Sequence, residues 1–255
     1  MHTTKPTLSL ITVCKNGAAT IGRTLSSVAA QQGEGIEYLV VDGGSTDSTL
    51  AIVRECSCVD QLVSEPDYGI SDAFNKGINR STGEIVGLIN ADDQLALDAL
   101  AFVRTYFADH PEVEVLHGDV LLQDRGRTLK RLKPAGRWWY PWRLVLFNHP
   151  ATFVRRRVYE QYGLFDTNYR IAMDAEMFFR WMSHGIVIRY VPQVLAIMES
   201  GGVSGQQATA GYREVRQAAV RHGYCRLLST VNFWGKMFGW SVLGYITQYV
   251  ARFRP

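Results

Sequence analysis

The sequence lacks several features that would assign it to a specialised class of protein. Its 255 residues contain only four cysteines, at positions 14, 56, 58 and 225, with neither a Cys-x-x-Cys pair nor a metal-ligand spacing. A disulfide-rich secreted domain and a zinc module are therefore excluded, and four reduced thiols are expected. No G-x-G-x-x-G follows a strand and no G-x-x-x-x-G-K-[ST] is present, so a dinucleotide site and a P-loop are not supported.

No apolar run is long enough for an ordinary transmembrane helix. The uncharged stretch 237–251 has 15 residues and includes Ser241, Thr247 and Gln248, whereas a span needs about 20 predominantly apolar residues. The N-terminus is polar up to Leu8, and the apolar run that follows is too short for a signal peptide. A cytoplasmic protein is the expectation.

Acidic residues are scarce near the C-terminus. Residues 206–255 contain seven basic side chains and one acidic side chain, Glu214, and so carry a net charge of +6. Because the whole chain carries +3, the first 205 residues carry −3. This asymmetry indicates a body followed by a tail suited to an anionic surface. One helical face of the tail would be apolar: Phe238, Val242, Tyr245, Ile246, Tyr249 and Phe253. That pattern favours a helix in the membrane interface, with packing on the body or a dimer contact as alternatives.

The first hundred residues alternate between strand and helix patterns. Apolar, β-branched runs predict strands at 8–14, 37–41, 59–63 and 84–89. Helical spacing between them predicts helices at 18–32, from Ser45 or Asp47 through Val53, and at 71–79. This order predicts an α/β fold, with a parallel sheet and helices on both of its faces.

The pattern is less regular beyond residue 115. Strands are predicted at 115–122 and 186–191, and helices at 174–184 and 212–228. The basic and aromatic stretch 125–142 is interpreted as a loop. No repeat or low-complexity linker divides the chain, which predicts one continuous unit, with halves at 1–115 and 116–205, followed by a helical tail at 206–255.

Polar residues follow three of the predicted strands, at 14–16, 42–45 and 90–93. Ligands of parallel sheets bind beyond the carboxyl ends of the strands. The adjacent carboxylates of Asp92 and Asp93 repel each other unless a positive group lies beside them. Mg²⁺ or Mn²⁺ would supply that charge, since both bind through one or two carboxylates plus phosphate oxygens. The alternative is that the pair merely begins a helix.

Four motifs occur in order: LSLITVCKN, EYLVVDGGSTDST, EPDYGISDAFNKGI and STGEIVGLINADD. Together they resemble family 2 glycosyltransferases of the GT-A fold, in particular small bacterial enzymes of the colanic-acid and O-antigen type, over roughly residues 7–205. The resemblance implies a Rossmann-like, mostly parallel mixed sheet, with a nucleotide-sugar-binding half at 1–115 and an acceptor-binding half of the same domain at 116–205. It also implies inverting transfer of a hexosyl or N-acetylhexosaminyl group from a nucleotide-sugar, with UDP as the expected nucleotide and Mg²⁺ or Mn²⁺ as the cofactor.

The resemblance also implies roles for individual residues. Asp93 would hold the cation, and Asp42 would hydrogen-bond the base. The full set of implied donor-binding residues is Val13, Cys14, Asp42, Asp72, Lys76 and Asp92. The family commonly has a second aspartate where Gly43 stands, and threonine or serine in place of Cys14, which bears on the choice of base. Helix capping for Asp47, a solvated role for Lys76 and packing for Cys14 remain alternatives.

The segment FDTNYRIAMDAEMFFRW resembles the part of the family that carries the general base, which implies that role for Asp174, with helix capping as the alternative. Glu176 lies about 200° further around a helix, so the two carboxylates cannot face one cleft. Three residues are predicted to contact the acceptor: Trp138, His149 and Arg180. For His149, contact with the diphosphate and a structural role are also open.

The expected partners are a nucleotide-sugar donor and a saccharide or lipid-linked saccharide acceptor, with peripheral contact of residues 206–255 on the inner face of the cytoplasmic membrane. Nucleic acid is not expected, because no nucleic-acid-binding fold accompanies the basic loop. A Q-x-x-R-W motif is missing, which disfavours a processive synthase. A sugar nucleotidyltransferase and a non-catalytic nucleotide-sugar-binding protein are the alternatives.

Overall fold

The elements alternate regularly at first and less regularly later. In a computed structural model of the protein, the described residues are 7–124, 126–134, 147–200, 208–231, 233–235 and 238. The first elements are β1 (Leu8–Cys14), α1 (Ile21–Ala29), β2 (Ile36–Asp42), α2 (Thr49–Glu55), β3 (Gln61–Ser64), α3 (Ile70–Arg80), β4 (Ile85–Asn90), β5 (Gln94–Leu95) and α4 (Ala99–Asp109). They are followed by β6 (Val115–Asp124), β7 (Arg127–Leu132), a 3-10 turn (His149–Ala151), β8 (Thr152–Arg155), α5 (Arg156–Tyr162), α6 (Met173–Ser183), β9 (Ile188–Glu199) and α7 (Ala208–Arg221).

All nine strands belong to one mixed sheet, in the order β3-β2-β1-β4-β8-β6-β9-β5, with β7 paired to β6. Strand β1 is parallel to both β2 and β4, and β3 is parallel to β2. Strand β8 joins the two parts of the sheet through antiparallel pairing with β4 and β6. The sheet therefore includes strands from both sides of residue 115.

The apolar strands are buried because helices cover both faces of the sheet. Every residue of β1 is buried. Successive side chains of β1 point to opposite faces of the sheet. Leu10 packs in an apolar cluster with helices α1, α2 and α4 on one face, and Ile11 packs in a second apolar cluster with helices α3, α5, α6 and α7 on the other face. Helix α3 lies very close to β1. A Cβ atom added to Gly77 would lie only 2.4 Å from Cγ2 of Ile11, so glycine is what allows this close approach.

Two predicted elements differ from the structure. Residues 127–132, within the stretch interpreted as a loop, form strand β7, an antiparallel neighbour of β6. Five of the six β7 side chains are exposed, so the strand lacks the apolar alternation that would reveal it. The helix predicted at 212–228 is two segments, because α7 ends at Arg221 and helical structure resumes at 226. Gly223, between them, has a φ of +88°.

The cysteines also differ from the prediction. Cys56 and Cys58 form a disulfide across one intervening residue, whereas four reduced thiols were expected. The chain turns there, and the N–H of Val59 donates a hydrogen bond to the carbonyl of Cys56 (3.3 Å). The disulfide was not predicted because a Cys-x-Cys spacing is not a recognised sequence signature of a disulfide. Cys14 is free and buried, and Cys225 is free and exposed.

The described part of the basic tail begins on the body of the protein. Val215, Ala218 and Ala219 of α7 are buried in the same apolar cluster as helix α6. Helices long and apolar enough to cross a bilayer do not occur within the part of the chain that the structure describes. The tail thus starts as a helix packed on the body. The predicted interfacial helix, with its apolar face from Phe238 to Phe253, lies outside the described residues except for Phe238.

Candidate active site

The parallel strands bring three of the predicted polar clusters to one edge of the sheet. Cys14 is opposite Asp42 in the β1–β2 pairing, and Val13 is opposite Asn90 in the β1–β4 pairing. Because parallel strands end on the same side, the residues that follow them line one cleft. The resulting edge is rich in carboxylates and backbone N–H groups.

Asp42 organises the turn after β2. Its Oδ2 accepts hydrogen bonds from the N–H of Gly44 (3.1 Å) and the hydroxyl of Ser64 (2.7 Å), and Ser45 donates through both its N–H and its hydroxyl. Burial alone would raise the pKa of Asp42, but the hydrogen bonds from Ser45 and Ser64 outweigh it and hold the pKa below its usual value. Asp42 is completely buried.

Cys14 and Asp47 occupy structural positions in this region. Burial, followed by the charge of Asp42, raises the pKa of Cys14 to about 12, so the thiol stays protonated and is no nucleophile. Asp47 accepts the N–H groups of Thr49 (3.0 Å), at the start of α2, and of Ala18 (3.1 Å). Packing, the alternative for Cys14, agrees with its burial, and its predicted contact with the donor stays a prediction. Asp47 is not the capping residue of α2, because the N-cap position is Ser48.

Asp72 and Lys76 form an ion pair on α3, with 3.1 Å between Nζ and Oδ2. Lys76 also lies 3.4 Å from Oε1 of Glu65 and donates to the carbonyl of Pro66 (2.8 Å). The N–H of Tyr68 donates to Asp72 (3.1 Å). The pair therefore holds the 65–69 loop beside the cleft, and its predicted contact with the diphosphate stays a prediction.

Asp93 is a buried carboxylate with little compensation. Burial, and then the charge of Asp92, raises the pKa of Asp93 to about 7. Its Oδ2 accepts a hydrogen bond from Nδ2 of Asn90 (3.0 Å), while Oδ1 of Asn90 is itself buried and accepts no hydrogen bond within the described chain. The alternative that the pair begins a helix is wrong, because strand β5 follows directly and α4 starts only at Ala99.

This arrangement fits a hard divalent cation. Asp93 and the unsatisfied Oδ1 of Asn90 are oxygen donors, which Mg²⁺ and Mn²⁺ prefer. Within the described residues there is no group of three His, Cys, Asp or Glu side chains suited to a metal. Other ligands would then have to come from water or from a bound diphosphate, which is how Mg²⁺ is usually held.

His149 connects this region to the predicted base. Its Nδ1 lies 3.1 Å from Oδ1 of Asp174, and its ring centroid lies 4.8 Å from that of Phe74. Burial alone would lower the pKa of His149, but the charges of Asp174 and then Asp93 outweigh it and raise the pKa. Nε2 of His149 is buried and has no hydrogen-bond partner in the described chain.

Asp174 lies in the first turn of α6 and is one third exposed. The helix begins at Met173, so the capping alternative does not describe Asp174. An apolar pocket lies beside Asp174 and His149, with Phe178 among its walls. The base candidate therefore stands between a solvent-accessible cleft and an apolar wall.

The opposite side of α6 carries a separate polar cluster. Glu176 is buried and bonds to Nη2 of Arg180 (3.0 Å) and Nε2 of His222 (2.8 Å). Glu176 thus faces away from the cleft, as its angle from Asp174 predicts. Arg180 also donates to the carbonyls of Tyr162 and Leu164. These contacts use Arg180 inside the body, in place of the predicted acceptor contact.

Sequence reasoning missed two residues that shape the site, and one prediction cannot be located. Glu214 of α7 accepts the N–H groups of Ile171 and Ala172 (both 2.8 Å), directly before α6. Asn90 orients Asp93, and its position as the last residue of β4 was the available signal. The sequence distinguished Glu214 only as the single acidic residue of the tail, and it lies 40 residues from Asp174. Trp138 lies outside the described residues.

Solved structures share this architecture. The chain superposes on S. aureus TarS 1-349 in complex with UDP-GlcNAc with a TM-score of 0.66 and 17% identity, covering 89% of this chain and 70% of that one. It superposes on the mannosyltransferase PcManGT from Pyrobaculum calidifontis, in complex with GDP-Man and Mn²⁺, with a TM-score of 0.65 and 19% identity, covering 99% and 82%. The fold is that of GT-A glycosyltransferases.

Sequence comparisons give the family. The model for glycosyl transferase family 2 matches residues 9–177. A PGL/p-HBAD biosynthesis glycosyltransferase of Mycobacterium bovis is 29% identical over 245 residues, which cover 91% of this chain and 92% of that protein. An uncharacterized glycosyltransferase of Mycobacterium tuberculosis is 29% identical over 233 residues, 86% of each chain. The chain belongs to glycosyl transferase family 2 and is a glycosyltransferase.

Proposed function

We propose that this chain is an inverting glycosyltransferase that moves one sugar from a UDP-linked donor to a hydroxyl of a polysaccharide precursor. The proposal is carried by the pairing of His149 with Asp174, together with the charge of Asp93, which also acts on His149. A carboxylate for the base and a carboxylate for a cation thus both influence one buried histidine. A nucleotidyltransferase or a mere binding protein has no need of that arrangement.

Asp174 is the proposed general base. The acceptor hydroxyl attacks the anomeric carbon as the nucleoside diphosphate leaves, and Asp174 accepts the proton of the hydroxyl. One displacement inverts the configuration and requires no nucleophilic carboxylate on the other face of the sugar. His149 holds Oδ1 of Asp174 by a hydrogen bond, which leaves Oδ2 to face the acceptor. The apolar wall around Phe178 limits access of water.

Asp93 and Asn90 would hold Mg²⁺ or Mn²⁺. When bound, such a cation would supply positive charge to the leaving diphosphate. Asp93 is suited to this role because its buried charge is poorly compensated by the protein alone. Asp92, which is less buried, is proposed to face the ribose.

We also propose that the tail contacts an anionic membrane, where a lipid-linked acceptor would lie. Four apolar side chains at helical spacing are each more than half exposed: Leu227, Val231, Trp234 and Phe238. The sequence continues the same spacing through residues 242, 245 and 249. Exposed apolar stripes of this kind, flanked by basic residues, are typical of helices that lie in the membrane interface.

The central test measures donor binding and transfer separately. Nucleotide-sugars are screened by thermal shift with and without Mn²⁺, because a ligand that binds only the folded state raises the melting temperature. Asp174→Asn is expected to keep the shift and to lose transfer by a factor of about 100 or more. The control, Asp109→Asn, changes an exposed carboxylate on α4 and should keep both. A panel with no Mn²⁺-dependent shift, or native transfer by Asp174→Asn, would refute the proposal.

A further inference from the structure

The carboxylate of Asp67 fills the space in front of Gly43, at the end of strand β2. A Cβ atom on Gly43 would lie 1.8 Å from Oδ2 of Asp67, so a larger residue at 43 requires the Asp67 side chain to move. Oδ1 of Asp67 accepts the N–H of Gly69 (3.0 Å), which fixes the orientation of the carboxylate. Asp67 therefore stands where a side chain of residue 43 would project.

Asp42, the neighbouring carboxylate, has no acceptor position left for a ligand. A carboxylate has about four lone-pair sites, and Asp42 receives hydrogen bonds from Gly44, Ser45, Ser64 and, at 3.7 Å, the thiol of Cys14. It is completely buried. Its position and its bonds describe a residue that builds the turn.

Asp67 differs from Asp42 in each of these respects. It is only partly buried, and no donor from the described part of the chain reaches its Oδ2. Its charge acts on Cys14, at the end of β1. Asp67 thus presents one open carboxylate oxygen at the edge of the sheet, close to the ends of β1 and β2.

We propose that Asp67, and not Asp42, is the residue that recognises the nucleotide base, with Gly43 required to make room for it. The inference rests on the proposed function, since it assumes a nucleotide donor in this cleft. A carboxylate oxygen accepts a hydrogen bond and cannot donate one. It therefore favours bases with a protonated ring nitrogen on the pairing edge, such as N3–H of uracil or N1–H of guanine. The ring N3 of cytosine carries no proton, and its only donor on that edge is the exocyclic N4 amino group at a different position, so cytosine is disfavoured.

The test is calorimetric titration of the full chain with UDP, GDP and CDP in the presence of Mg²⁺, with no transfer measured. The native protein should bind UDP or GDP at least about tenfold more tightly than CDP, as expected for a hydrogen bond to a charged group. In Asp67→Asn that preference should fall to about threefold or less, because an amide can donate as well as accept. The control is Glu55→Gln, which changes an exposed carboxylate on α2 and should keep the native preference.

Moving the carboxylate from position 67 to position 43 distinguishes base recognition by Asp67 from a merely structural role. Gly43→Ala should lose the preference as Asp67→Asn does, because the new methyl group displaces the Asp67 carboxylate. The double variant Gly43→Asp/Asp67→Gly returns a carboxylate to the same space and should recover at least part of the preference. Melting temperatures identify any variant that is merely unfolded.

Two results would overturn the inference while leaving the proposed function intact: an unchanged UDP-to-CDP ratio in Asp67→Asn, or loss of that ratio in a folded Asp42→Asn alone. If the native protein bound none of the three nucleotides, the proposed function would fail together with the inference.

Discussion

Nδ1 of His149 and Oδ1 of Asp174 are 3.1 Å apart, although the residues come from different parts of the chain. His149 belongs to the 3-10 turn before β8, at the centre of the sheet, and Asp174 to the first turn of α6. The histidine is almost completely buried, and the aspartate is one third exposed. A rigid, buried side chain thus orients a carboxylate that solvent and substrate can reach.

His149→Gln should lower the transfer rate by about 100-fold, the low end of general-base contributions, with little change in nucleotide affinity. Glutamine can bond Asp174 but carries no charge. Because the folded-state pKa of His149 is raised, its protonated form persists to higher pH than in an ordinary histidine and is lost as the pH rises further. The native pH profile should therefore include this titration, and the variant profile should not.

The control for that experiment is His184→Gln, which changes an exposed histidine at the end of α6. The variants are compared by steady-state kinetics across pH 5.5–9, a range that brackets the ordinary histidine pKa of about 6.5. Identical pH profiles for the native protein and His149→Gln would contradict the role of His149.

Asp93→Asn should stabilise the protein in the absence of metal. The pKa of Asp93 is about 7 in the folded protein, above the ordinary aspartate value of 3.8, so the folded state binds the proton more tightly than the unfolded state does. The contribution of protonated Asp93 to the free energy of unfolding is fully present below about pH 4 and is lost as the pH rises through 7. At pH 8 the variant should exceed the native protein by up to about 4 kcal/mol in free energy of unfolding, and at pH 4 the difference should vanish.

Mn²⁺ should reverse that order, because it stabilises only a protein that can bind it. The native protein should gain melting temperature with Mn²⁺ and UDP at pH 8, and Asp93→Asn should not. Asp92→Asn is the matched control: it should keep the Mn²⁺ effect while binding UDP more weakly. An equal Mn²⁺ effect in Asp93→Asn would exclude Asp93 as a ligand.

Glu214→Gln should weaken the attachment of α7 to helix α6, which carries the proposed base. The charged side chain accepts N–H groups of Ile171 and Ala172, just before α6, and bonds of this kind contribute about 1.5–3 kcal/mol each. We expect a loss of at least about 1 kcal/mol in urea unfolding and a larger fall in transfer rate than in UDP affinity. Glu160→Gln, on the exposed side of α5, is the control and should stay within about 0.5 kcal/mol of the native protein.

Val231→Glu/Trp234→Glu should abolish binding to vesicles that contain anionic lipid, measured by co-sedimentation. Two charges on the exposed stripe oppose its insertion into the interface. Leu97→Glu is the control, since Leu97 is an apolar residue of the body that is 80% exposed. Binding of the native protein should decline with salt. Self-association of the native protein without vesicle binding would favour a dimer contact.

Local patterns were enough for the elements from β1 to β4. Strand β1 matches its predicted range, and the other early strands differ by one or two residues, because a buried parallel strand is a short apolar run between turn residues. Helix α4 was not predicted, since residues 99–109 mix apolar residues around much of the helix. Strand β7 was missed because its neighbours, and not its own sequence, determine its pairing.

The sequence by itself determined the family motifs, the parallel strands and the acidic pair at 92–93, because these depend on residues close together in the chain. Only the tertiary structure decided which carboxylates are available. It committed Asp42 to a turn, left Asp93 buried with little compensation, placed Asp67 in front of Gly43 and joined His149 to Asp174. Burial and hydrogen bonding depend on contacts between distant segments, and they give chemically identical side chains different properties.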